Sequence, residues 1–226
     1  MQRRRIRFFR ARKLWVPAWP LVVCVFVVMA VLARWTVLNV HPYLALNRPA
    51  DPSTILVVEG WLPDIALESV ARDFFSNGHY ARVYTTGGDL SYGSYLSEHQ
   101  SYAQLAARTF QQLGIDESRI IAAPAGPGAR HRTWRSAIAL RVRLENDHPG
   151  LEGISGLNVV TEGIHSRRTF MIYRKVFDDT TIDIGVISLP PDTYDPDEWW
   201  SSSDGVKTLV TEFLATAYEI LADSGR

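Results

Sequence analysis

The chain has 226 residues, 46% of them apolar, with 24 basic and 24 acidic side chains and one cysteine. A single cysteine excludes an intramolecular disulfide and any zinc site built from cysteines. The zero net charge hides a block of Arg3, Arg4, Arg5, Arg7, Arg10, Arg12 and Lys13, which leaves the remainder acidic. A terminal block is not the basic folded face of a nucleic-acid-binding domain, so nucleic acid is not an expected partner.

Residues 14–33 carry no charged side chain. Twenty apolar residues in a helix span roughly 30 Å, about the hydrocarbon thickness of a bilayer. The basic residues 1–13 before this run predict a cytoplasmic tail. A single-pass anchor in the plasma membrane would then place the rest of the chain outside the cytoplasm. Trp15, Trp19 and Trp35 lie near the two ends, where amphipathic rings favour the headgroup level. Val31-Leu32-Ala33 keeps a cleaved signal peptide as the competing reading. Residues 34–53, with His41-Pro42, Arg48-Pro49 and Asp51-Pro52, read as a tether, and residues 54–226 as one α/β domain.

Within that domain the run Thr54-Ile-Leu-Val-Val58 predicts a strand buried on both faces. It ends in Glu59-Gly60-Trp61, and Asp64 is the expected cap of a helix whose stripe includes Leu67, Val70, Phe74 and Phe75. Asn77-Gly78 closes that helix, residues 81–85 form a second strand, and the turn Thr86-Gly87-Gly88-Asp89 follows. A polar loop over residues 89–97 leads to a helix from about Glu98 to Leu113. A strand over 119–123, a glycine-rich turn and a helix over 132–145 come next. Residues 157–161 form a further strand, 165–177 a helix and 182–189 the last strand. The final helix, 205–222, shows Val206, Leu209, Val210, Phe213, Ala217 and Leu221 at helical spacing. About five alternations of strand and helix predict a Rossmann-like three-layer α/β sandwich with a mostly parallel sheet.

In such a sheet the turns that follow strands open on one edge, where ligands bind. Glu59, Gly87-Gly88, residues 126–133 and the pair His165/Arg168 are thereby brought toward one cleft. Neither glycine turn has the spacing of a dinucleotide or P-loop fingerprint, so each is also read as a plain tight turn. His165 and Arg168 share a helix face at i,i+3. Arg168 offers a bidentate donor for phosphate or carboxylate, and His165 a group that passes protons near neutral pH. The alternative is an Arg168 paired with a surface acid beside a capping histidine. Arg130, His131 and Arg132 oppose the dipole of the helix they precede, which an anionic ligand would reconcile. Glu59 stands as a base, a metal ligand or a partner for Arg132 or Arg168, and Glu98 as a dipole-stabilising residue. Trp199 and Trp200 are read as core, with a ligand cap or membrane contact as alternatives. No GxSxG elbow is present, and the spacing of the histidines and acids gives no metal assignment.

The order of these turns resembles the DUF218 (YdcF-like) family, whose membrane-anchored members are the SanA/ElyC-like envelope proteins. The resemblance covers residues 53–189 and rests on Val58-Glu59-Gly60, Thr86-Gly87-Gly88, Glu98, Thr133 and His165-Ser166-Arg167-Arg168. The chain departs from the pattern in Glu59-Gly60-Trp61 and in Arg135-Ser136 after the threonine. The resemblance implies a Rossmann-like fold and a role in the cell envelope, in cell-wall biogenesis or in lipid-carrier metabolism. The convergence of these cationic and glycine-rich turns predicts a phosphate-bearing ligand with Gly60, Asp64, Gly87, Gly88, Glu98, Arg132, Thr133 and Arg168 at its site, and His165 or Glu59 as the catalytic group that moves a proton. The alternatives are a non-catalytic envelope scaffold or binding module and a nucleotide- or S-adenosylmethionine-binding enzyme. No cofactor is assigned.

Overall fold

The computed structural model describes residues 18–75, 80–90, 98–128 and 130–222. The basic tail, Trp15, Asn77-Gly78 and most of the loop over 89–97 lie outside the described residues, as do the side chains of Phe74 and Phe75. The chain divides into two compact units, Met1–Leu38 and Asn39–Arg226.

In the first unit the described residues after Ala18 belong to helix α1, Trp19–Leu44, which is long and apolar enough to cross a membrane and has no buried residue in its apolar window. From Trp19 to Ala33 its side chains are apolar all round, as a span facing hydrocarbon would require.

In the second unit, five strands form one all-parallel sheet in the order β3-β2-β1-β4-β5. The strands are β1 (Ile55–Glu59), β2 (Arg82–Gly87), β3 (Ile120–Pro124), β4 (Gly156–Glu162) and β5 (Asp183–Leu189). The helices between and after them are α2 (Asp64–Val70), α3 (Tyr102–Gln112), α4 (Arg132–Asp147), α5 (Ser166–Val176) and α6 (Ser203–Ala222). Central β1 is buried at every position because a parallel sheet is covered on both faces. One face packs Val57, Tyr84, Val159 and Val186 with Leu140 and Leu144 of α4 and Tyr173 of α5. The other packs Leu56, Val58 and Val83 with Leu67 of α2 and Phe110 of α3. The strand order reverses between β1 and β4, and that junction is the switch point at which open α/β sheets form their crevice.

Several boundaries differ from the sequence reading. Residues 34–53, expected as a tether, are helical to Leu44 and then pack against the domain. Leu44 and Ala50 are buried, and Arg48 pairs antiparallel with Val186 on the free edge of β5. The Asn158 side chain closes the same region, accepting from Ala50 N at 2.7 Å and donating to Ala50 O at 3.1 Å. Asp64 is the first residue of α2 and Pro63 its cap, with no side-chain capping bond, so Asp64 acts through the dipole alone. The third helix starts at Tyr102, because Ser101 and Gln104 form a reciprocal capping box three residues beyond Glu98.

Helix α6 turns its polar stripe inward. Leu209 is buried, but Val206, Val210, Phe213 and Leu221 are exposed, and the inward face carries Gly205, Glu212, Thr216 and Glu219. A helix with two regular stripes turns whichever face the neighbouring surface can satisfy, and here that surface is charged.

Candidate functional site

A cleft of about 1000 Å³ opens at the carboxyl ends of β1, β2 and β4. Glu59, Gly87, Gly88, Arg132, Thr133, His165 and Arg168 line it, so topology gathers seven of the ten expected site residues. Gly60, Asp64 and Glu98 do not line it, and Asp64 and Glu98 are exposed.

Glu59 ends a strand with nowhere to project except the switch point, and it is only 3% exposed. A buried carboxylate is tolerable only when its oxygens are hydrogen-bonded. Thr161, at the end of neighbouring β4, donates to Oε2 at 2.5 Å, and the Trp61 indole N–H donates to the same oxygen at 3.0 Å. Thr169 of α5 donates to Oε1 at 3.4 Å. His165 brings Nε2 to 3.6 Å from Oε2, and the Trp61 ring meets the imidazole edge-on at 5.4 Å.

The other side of the imidazole faces Glu212, a residue the sequence reading did not single out. His165 Nδ1 is 3.1 Å from Glu212 Oε1 and 3.0 Å from Arg168 Nη2. Arg168 donates to both Glu212 oxygens, from Nε at 3.0 Å and from Nη2 at 3.1 Å, in a bidentate pair. Burial pushes the Glu212 carboxyl up, but bonding and charge from His165 and then Arg168 outweigh it and bring the group down to about 2. Beneath the site, burial and then the Glu59 charge push the Tyr173 phenol up, keeping it protonated beside Thr86. At the far rim, burial and then Asp192 raise the Glu162 carboxyl.

His165 itself is held by a 3-10 turn, Gly163–His165, between β4 and α5. That turn is secured from behind, where Ser166 donates to Leu44 O at 3.3 Å and the Arg167 guanidinium lies over the Tyr43 ring at 3.8 Å.

On the opposite wall α4 begins without a side-chain cap, at His131 in a left-handed conformation with φ 52°. A non-glycine residue held there is strained, and its neighbours must hold it. The first N–H groups of α4 are left for a ligand or solvent. Arg132 stands exposed at that start, and Thr133 and Ser136 turn buried hydroxyls into the cleft wall. Gly87, with φ 148°, has internal work: a Cβ there would sit 2.8 Å from Tyr102 Cβ. Gly60 is tighter still, with the Tyr102 carbonyl oxygen 2.4 Å from a Cβ. Gly88 also lines the cleft and meets nothing within 4 Å.

Together these features define an open α/β domain with a histidine set between two carboxylates at its switch point. Among the described residues no group of three His, Cys, Asp or Glu is placed to hold a metal ion. No protein-family model matches the chain, and neither does any curated protein.

Proposed function

We propose that this protein is a single-pass membrane protein whose domain binds a phosphate-bearing ligand in the switch-point cleft and moves a proton on it. In this reading the domain lies outside the cytoplasm, and the ligand is a cell-wall or lipid-carrier intermediate, as the likeness to the DUF218 family implies. The observation that carries the reading is the pairing, across one cleft, of an uncapped basic helix start with a buried acid–histidine–acid array. The α4 N–H groups, Arg132 and Gly88 receive the phosphate oxygens. Arg168, already neutralised by Glu212, orients His165 and does not grip the anion.

The array gives His165 two working tautomers. When Nδ1 accepts from Arg168, the ring proton sits on Nε2 and faces Glu59. When Nδ1 donates to Glu212, Nε2 is a free base that takes the proton of an attacking water or hydroxyl. Titration calorimetry of the full chain with inorganic pyrophosphate tests the binding half. Arg132→Ala is expected to weaken binding about tenfold or more, the loss of one charge-assisted contact. His165→Ala is expected to preserve binding and abolish turnover. Unchanged affinity in the Arg132 variant removes the anion assignment.

A second reading, a non-catalytic binding module, draws support from the closure of Arg168, Glu212 and His165 on one another. Under it, His165→Ala and Glu59→Ala variants retain function in an envelope-defective strain.

A further inference from the structure

The cleft does not end at His165. Its lining continues down three helices, from Thr133 to Ser136 on α4, from Arg168 to Ile172 on α5, and from Glu212 through Ala215 to Glu219 on α6. Residues spaced in this way stay on one face of each helix for about one to two turns, roughly 5–10 Å. Helix α5 packs against both α4 and α6, so buried Ile172 floors a groove between them. A phosphate fills only part of the whole. Pockets of roughly 300–1,000 Å³ hold entire small molecules, and at about 1000 Å³ this one has room for a large organic group beside the anion.

Ser136 indicates what that group is. It is only 6% exposed, it lines the groove, and its hydroxyl has no hydrogen-bond partner among the described residues. Thr133, one turn nearer the start of α4, is 8% exposed and equally without a side-chain partner among the described residues. Hydroxyls this deeply buried are normally hydrogen-bonded, so the pair calls for polar groups on the ligand. The groove offers no free charge to go with them. Trp134, Ala215 and Tyr218 are uncharged, and the Glu219 carboxylate is neutralised by Lys175 Nζ at 2.6 Å. An ionic group would lack a counter-charge here, and a bare hydrocarbon would leave both hydroxyls unpaired. An uncharged, polyhydroxylated ring meets both demands, and its C–H faces suit the electron-rich faces of Trp134 and Tyr218.

We infer that the cleft takes a sugar phosphate, with the phosphate at the start of α4 and the sugar ring in the groove between α4 and α6 against Ser136. The inference deepens the phosphate reading and rests on it. Titration calorimetry of the full chain in detergent compares inorganic phosphate, glucose 1-phosphate and cyclohexyl phosphate, which keeps a ring and lacks the hydroxyls. Glucose 1-phosphate is expected to bind about tenfold more tightly than either of the others. Ser136→Ala is expected to remove about tenfold from glucose 1-phosphate and to leave inorganic phosphate unchanged. Ala215→Trp fills the groove and is expected to bring glucose 1-phosphate to the level of inorganic phosphate, whose own affinity stays the same. Cyclohexyl phosphate binding as tightly as glucose 1-phosphate, or an unaltered affinity in Ser136→Ala, overturns the sugar assignment. Equal affinities for glucose 1-phosphate and inorganic phosphate, both weakened by Arg132→Ala, overturn the groove and leave the phosphate reading standing. Absence of binding by all three overturns both.

Discussion

Replacing Glu212 by glutamine keeps the shape of the side chain and removes its charge, leaving Arg168 and His165 without their shared partner. Moving a carboxyl from its ordinary 4.5 to about 2 corresponds to on the order of 3 kcal/mol of native-state stabilisation. The side chain is only 15% exposed, so solvent screening takes little from that figure. The folded value lies below the unfolded one, so the contribution is complete above about pH 4.5 and is lost as pH falls through about 2. Urea denaturation of the full chain in detergent, followed by tryptophan fluorescence, is expected to show Glu212→Gln less stable by on the order of 3 kcal/mol at neutral pH. The same two values place the gap between wild type and variant at about half of that, or less, by about pH 3. A gap that stays constant over this range, or one under about 1 kcal/mol at neutral pH, refutes the argument, because it would mean that Glu212 gains nothing from its partners.

Two further substitutions separate packing from ligand contact. Gly60→Ala drives a methyl into the Tyr102 carbonyl and is expected to cost about 1–3 kcal/mol or more, read by the same denaturation. Gly88→Ala meets open space and is expected to leave stability unchanged while weakening pyrophosphate binding in calorimetry. Asn158→Leu strips both bonds from the buried Ala50 backbone and one from Tyr80, and is expected to lower the denaturation midpoint by an amount worth about 2–4 kcal/mol.

The sheet was legible because strands buried on both faces have a signature of their own: β1 is an unbroken apolar run that ends in a charged residue. The same logic exposed Glu59 and His165, since a polar residue at the end of such a strand must face the crevice. Helix starts were harder. Glu98 suggests an opening, and the reciprocal bond between Ser101 and Gln104 places the start three residues later. Glu212 was not legible for a different reason. It reaches Arg168 across 44 residues, and nothing in a helix with both a polar and an apolar stripe says which stripe turns inward. The regular spacing of Thr208, Glu212, Thr216 and Glu219 was the available signal, and it acquires meaning only once a charged wall stands opposite. Residues 34–53 were misread because their X-Pro pairs suggest a loop, whereas Pro42 sits inside the last turns of α1.

The division of the array between β1 and α6 has a consequence for how the domain breathes. Glu59 sits on the central strand of a five-stranded sheet, hydrogen-bonded to a neighbour on each side, where amides exchange only through the deepest openings. Glu212 sits on the last helix, fastened inward by Arg168 and His165 and, a further turn or two along, by the ion pair of Lys175 with Glu219. Charged fastenings of this kind release at a lower free energy than a sheet ladder, so α6 is expected to open before β1 and β4. The histidine then loses one carboxylate and keeps the other. Hydrogen exchange is expected to be slow in β1 and faster in α6, and equal protection of the two would refute the separation.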